Sequence, residues 1–156
     1  MKVFISYGSS ADQVTALRLQ ALGAVNGLTV YVPPAHTRQA VGTLLDPEAA
    51  QKLNDAEVVL GVVGEGLTEA CRQELNTSMT LRKNMIVMSY PMFAPQLQPY
   101  FGSNLVVIDP QNPGAAEIGI VGHLKTLDAQ QSTKKALLAL GTLALGLLIL
   151  STADRS

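Results

Sequence analysis

Over the first 130 positions, apolar residues fall into short clusters separated by stretches in which they recur every three or four places. Val3-Phe4-Ile5 is a β-rich run closed by Gly8-Ser9-Ser10, a strand and then a turn. Asp12 is placed to help cap the next helix. Val14, Leu17, Leu19, Leu22 and Val25 then recur at helical spacing up to Asn26-Gly27, which predicts an amphipathic helix with those residues on its inner face. A second strand over 28–32 is stopped by Pro33-Pro34, since proline has a fixed φ and no N–H to give to a ladder. After a loop to about residue 45, Asp46-Pro47-Glu48 reads as an N-cap, a proline at the first helical position and an acidic first turn, so a helix runs to about 54. The nearly continuous apolar run at 58–63 is a strand covered on both faces.

Beyond Gly64-Glu65-Gly66, Thr68 caps a helix carrying Cys71, Leu75, Met79 and Leu81, which Lys83-Asn84 ends. A fourth strand at 85–89, a loop with one helical turn over 91–102, a fifth strand at 105–108 and a last helix over 113–127 complete the order. Short buried strands alternating with helices predict an α/β fold, a parallel five-stranded sheet with helices on both faces, because parallel neighbours need a crossover. Ligands of such sheets bind outside the C-terminal strand edge, which directs attention to the loops after Ile5, Val32 and Val63.

The tail has a different pattern. No charge interrupts residues 136–153 after Lys134-Lys135, and at about 1.5 Å per residue a helix there spans roughly 27 Å, just short of a hydrocarbon core about 30 Å thick. The domain organisation is therefore residues 1–130 as one domain and 131–156 as a hydrophobic C-terminal helix, either a membrane anchor or an oligomerisation segment. By the positive-inside rule the two lysines keep the folded domain cytoplasmic.

Composition narrows the function classes. A net charge of −1 with scattered Lys and Arg offers no basic stripe for a phosphate backbone, so no nucleic-acid partner is expected. The single Cys71 forms no intramolecular disulfide, and Cys and His lack zinc-ligand spacing, so no metal is expected. The run at residues 3–5 is too short for the core of a signal peptide. His36 reads as a solvated loop residue and His123 as a helix-surface one. Gly61, Gly64 and Gly66 read as turn glycines, because no Lys-Ser/Thr comes after them. The serines lack a G-x-S-x-G elbow.

One carboxylate stands out. Thr68, Cys71 and Glu74 step by three along their helix, which keeps them on one side near its N-terminus, where partial positive charge suits an anionic ligand. The alternative is a surface glutamate paired with Arg72 or Arg82. Spacing leaves both open.

Val3-Phe4-Ile5-Ser6-Tyr7, with a Gly/Ser loop and Asp12 after it, resembles the first-strand box of TIR domains, commonly written F-I-S-Y. Thr68-x-x-Cys71-x-x-Glu74 resembles the S-x-x-C-x-x-E helix after that family's third strand, and residues 84–91 resemble its next strand, ending in proline. The resemblance covers roughly residues 2–127 and implies a flavodoxin-like sheet. It further implies one of two roles: a protein-protein assembly module, or an enzyme that cleaves the nicotinamide–ribose bond of NAD, in bacterial defence or cell-death signalling. For the enzyme, the resemblance makes Glu74 the catalytic carboxylate and Tyr7, Gly8, Ser9, Ser10 and Cys71 the residues of the NAD site, with NAD as substrate and no bound cofactor. The product would be ADP-ribose or a cyclic isomer. It also implies self-assembly through the 33–45 loop. Without tryptophan, base stacking would fall to Tyr7, Tyr31 or Phe93. A third reading is a nucleoside deoxyribosyltransferase-like enzyme, which also acts on N-glycosidic bonds with a glutamate but prefers nucleosides.

Overall fold

The computed structural model describes residues 1–39, 45–64 and 66–130. Five strands, β1 (Lys2–Tyr7), β2 (Thr29–Tyr31), β3 (Val58–Val62), β4 (Asn84–Ser89) and β5 (Leu105–Val107), pair in parallel in the order β2-β1-β3-β4-β5. Helices α1 (Ser10–Val25), α2 (Pro47–Asp55), α3 (Glu69–Thr80) and α4 (Ala94–Phe101) make the four crossovers, α5 (Pro113–Gln130) follows β5, and a 3₁₀ segment over Ala35–Gln39 lies between β2 and α2. The fold is α/β and flavodoxin-like. The chain steps from β1 outward to β2, then crosses back over β1 to β3 and continues in the opposite direction. Such a reversal, here between β1 and β3, is where open α/β sheets form their ligand crevice, at the C-terminal strand ends.

Side chains alternate across each strand, so the core has two halves. Val3, Ile5, Tyr7, Leu60 and Met88 face Ala16 and Leu19 of α1 and Ile120 and Leu124 of α5. Phe4, Val59, Val63 and Val87 face Leu53 of α2, Cys71 and Leu75 of α3 and Leu97 of α4. Ser6 shares the parity of Phe4 and therefore enters the α3 side, where a buried hydroxyl requires a partner. The close approach of α3 explains Gly61, since a Cβ there would lie 3.1 Å from Leu75 and 3.3 Å from Val87.

The predicted caps at Asp46 and Thr68 are present: Asp46 accepts from the Ala49 N–H and Thr68 from the Cys71 N–H. At α1 the cap is Ser9, not Asp12. The expected inner face of α1 is also corrected. Val14, Leu17 and Val25 are exposed, Val25 by 86%, whereas Asp12, Thr15, Ala16, Leu19 and Gly23 are buried. The cause is proximity: a Cβ at Gly23 would lie 2.6 Å from Val30, so the sheet-facing side takes small residues. A second correction concerns 91–102. It forms the eight-residue helix α4 rather than one turn, despite Pro99 inside it. Pro99 removes one backbone donor, while burial of Ala94 and Leu97 holds the helix down.

Among the described residues no helix is long and apolar enough to cross a membrane. The expected C-terminal helix and the anchor at 136–153 lie outside the described residues.

Candidate functional site

The last residues of β1 set the floor of the site. Ser6 points toward α3, where the Thr68 cap fixes the start of the helix and Cys71 and Leu75 seat it on the sheet. Glu74, on the same side of α3 as Cys71, is thereby driven under the crevice and is 1% exposed. Both oxygens of its carboxylate are engaged. Ser6 Oγ donates to Oε1 at 2.8 Å, while Arg38 forks across both oxygens, Nη1 to Oε1 and Nη2 to Oε2, each at 2.6 Å. Two parallel N–H donors on one carboxylate are the strong, directional form of this pairing.

Arg38 belongs to the 3₁₀ segment and is itself held on several sides. Nη1 also donates to the Tyr7 carbonyl at 3.0 Å, Nε donates to Thr37 Oγ1 at 3.2 Å, and the guanidinium lies 4.9 Å from the centre of the Tyr7 ring. Tyr7 Oη donates to the Pro33 carbonyl at 2.7 Å, so the tyrosine clasps the segment from which Arg38 comes. Burial works against the Arg38 charge, but the hydrogen bonds and charge of Glu74 outweigh it, and the Arg38 pKa is raised. Removing one member of such a pair leaves the other charged and dry, at a cost of about 3–5 kcal/mol.

The partner of Glu74 is thus Arg38, and neither Arg72 nor Arg82. Arg72 pairs instead with Glu69 on the surface of α3. Cys71 is completely buried, with its Sγ 3.2 Å from Ser6 Oγ. A hydroxyl has one proton to give, and the shorter contact, to Glu74, takes it. Burial pushes the Cys71 thiol up to about 12, so it remains a neutral, unreactive group that fills space beside the carboxylate.

The other expected site residues come after Ser6 in order. Tyr7 is buried, its ring covered by Arg38 and its pKa raised, mainly by burial. Gly8 is buried against the α3 cap, since a Cβ would lie 2.9 Å from Thr68 Cγ2. Ser9 caps α1 and Ser10 is exposed in its first turn. Asp12 Oδ1 reaches across to accept from the Gly64 N–H at 3.0 Å, tying α1 to the loop after β3. Gly64 has a stricter role than a turn requires: a Cβ would lie 2.6 Å from Asp12 Oδ1 and 2.7 Å from the Tyr90 ring. Tyr31 stacks at 5.6 Å on Phe4 and has a buried hydroxyl without a partner among the described residues. His36 is exposed as expected. His123 is not a surface residue but half-buried, with an enclosed Nε2.

The tertiary structure therefore brings Ser6, Tyr7, Cys71 and Glu74 together and adds Arg38. Ser6 had a signal, because strand parity places it on the face opposite Tyr7. Arg38 had none from spacing, because it lies in a stretch without periodicity, where it is the only Lys or Arg. With both oxygens occupied, Glu74 meets a ligand only if that ligand displaces Arg38.

No protein-family model and no curated protein matches the sequence. Among solved structures, the chain is similar to the TIR domains of the activated Roq1 resistosome directly recognising the pathogen effector XopQ. That match has a TM-score of 0.48 at 12% identity and covers 95% of this chain and 82% of that one. It is also similar to the flavodoxin, WrbA-like protein from Agrobacterium tumefaciens, with a TM-score of 0.45 at 10% identity over 83% of this chain and 98% of that one. Both likenesses are loose, and the fold assignment stands on strand order and connectivity.

Proposed function

We propose that the domain is a TIR-type NAD glycohydrolase or cyclase, acting in bacterial defence or cell-death signalling, with Glu74 as its catalytic carboxylate. The observation that carries this reading is the placement of the buried Glu74 at the β1 end of the sheet's switch point, braced by the F-I-S-Y serine and beside Cys71. In the reaction the bond between ribose C1′ and the pyridinium nitrogen breaks, and its electron pair leaves with nicotinamide, which departs neutral and needs no acid. The carboxylate then faces an oxocarbenium-like ribose that it can stabilise and orient. Water adding at C1′ gives ADP-ribose and a proton, while attack by a nitrogen of the same molecule's adenine gives a cyclic isomer.

A second reading is a non-catalytic assembly module using the 33–45 loop, and a specific observation favours it. Arg38 engages both Glu74 oxygens, as expected of a structural ion pair that fixes the Ala35–Gln39 segment on the sheet. NAD loss measured over time, at protein concentrations high enough for self-assembly, separates the two. For the enzyme, Glu74→Gln lowers turnover by at least about 100-fold with folding matched to wild type. Wild-type protein that leaves NAD intact, free and on lipid vesicles, supports the module instead.

A further inference from the structure

We propose that Arg38 is a specificity-determining residue that exchanges the Glu74 carboxylate for a substrate phosphate, so that the site accepts phosphorylated ribosyl substrates and discriminates against the bare nucleoside. The proposal rests on the reading of Glu74 as the carboxylate that meets ribose. In the observed arrangement both oxygens of Glu74 are already engaged, Oε1 by Ser6 and Arg38 and Oε2 by Arg38. Two neighbouring ribose hydroxyls match the two carboxylate oxygens and can replace the guanidinium fork, which leaves Glu74 satisfied. Arg38 is left without a counter-charge.

Among the described residues nothing else close to Arg38 supplies one. The described groups acting on its charge are Glu74, Tyr7, Tyr31 and Cys71, and the two phenols and the thiol are held above their ordinary pKa values and remain neutral at pH 7. Its remaining contacts, the Tyr7 carbonyl, Thr37 Oγ1 and the Tyr7 ring, are uncharged. A nearly dry guanidinium with no anion is strongly unfavourable. A substrate that brings hydroxyls for Glu74 must therefore also bring an anion for Arg38, and a phosphate matches the planar donor fork as a carboxylate does. The ion pair acts as a two-part lock: hydroxyls alone open one half of it. A dinucleotide with a pyrophosphate bridge satisfies both halves, whereas nicotinamide riboside has the same scissile bond and no phosphate.

The test compares NAD with nicotinamide riboside on full-length wild type, Arg38→Gln, Arg38→Lys and Glu74→Gln, with circular dichroism and melting curves to confirm folding. Wild type is expected to favour NAD in kcat/KM by at least about 100-fold, and Arg38→Gln to reduce that ratio to about 10-fold or less, mainly by raising KM for NAD. Arg38→Lys, which keeps the charge but loses the fork, falls between and serves if Arg38→Gln does not fold. An unchanged ratio in the Arg38 variants overturns the proposal. If Glu74→Gln nonetheless abolishes turnover of both substrates, the enzyme reading survives that failure. If wild type turns over neither, calorimetric titration with ADP-ribose and with ribose decides. Binding of ADP-ribose alone, weakened about tenfold or more in Arg38→Gln, upholds the phosphate role. Equal binding by the variant, or none by wild type, overturns it.

Discussion

Arg38 meets Glu74 with both side chains nearly dry, 6% and 2% exposed, whereas Arg18 meets Glu117 with the arginine 48% exposed and only the carboxylate enclosed, at 5%. Both pairs are close, at 2.6 and 2.8 Å, and both join segments distant in sequence. The Arg18–Glu117 pair ties α1 to α5 across one face of the sheet, and water can solvate its guanidinium if the carboxylate is lost. The Arg38–Glu74 pair closes the crevice at the end of β1, where water cannot take over for either member. The difference is one of consequence rather than geometry. An arginine that can fall back on solvent is a brace, and one that cannot makes its loop, its carboxylate and any ligand between them interdependent.

The largest effect should come from Glu74→Ala, which strands Arg38 and is expected to lower the unfolding free energy by about 3–5 kcal/mol in urea titrations. For that reason Glu74→Gln, which keeps the shape and some of the hydrogen bonds, is the better control for activity. Second, the double replacement Arg38→Leu with Glu74→Leu should lie closer to wild type in stability than Glu74→Ala does, because no unpaired charge remains buried. A double variant less stable than Glu74→Ala would mean that lost packing, not lost charge balance, governs this end of the sheet. Third, Glu117→Gln should cost no more than about 1 kcal/mol, because Arg18 retains water. Its cost should shrink further in high salt, while that of Glu74→Ala should change little. A large, salt-independent cost for Glu117→Gln would erase the contrast between the pairs.

The smallest expected effect is a pH dependence from α5 itself. Burial holds the His123 imidazole below its ordinary value of 6.5, so the unfolded chain takes up a proton that the folded chain resists. The stability tied to neutral His123 is therefore fully present above pH 6.5 and is lost as pH falls below it toward the lower folded value. Denaturation of wild type and His123→Leu at a series of pH values should show wild type losing ground on acidification relative to the variant. Parallel curves would place the imidazole in water in the folded state.

Much of the fold was legible because its signals are local. The apolar run at β3, the prolines after β2 and the Asp46-Pro47-Glu48 start of α2 each act within a few residues, and each element formed where it was expected. Legibility failed where a neighbour decides. The apolar periodicity of α1 pointed to Val14, Leu17 and Val25, yet the helix presses so close to β2 that Gly23 and Ala16 are the residues that fit inside. The stretch over 91–102 promised only one helical turn, and burial of Ala94 and Leu97 against the sheet extends it to the eight residues of α4 despite Pro99.

The site divides in the same way. The sequence by itself determined the order of strands and helices, the capped start of α3 and hence the placement of Glu74 on the helix beside the switch point. Strand parity separates Ser6 from Ile5 and Tyr7 across the sheet, but that α3 covers its side came from the tertiary structure. Only the tertiary structure decided that Glu74 is buried rather than a surface residue, and that its counter-ion is Arg38, 36 positions away, instead of the basic residues on or next to its own helix. The physical reason is that spacing along a helix reports only neighbours on that helix, whereas a buried charge takes whichever opposite charge the crossover loops bring within reach.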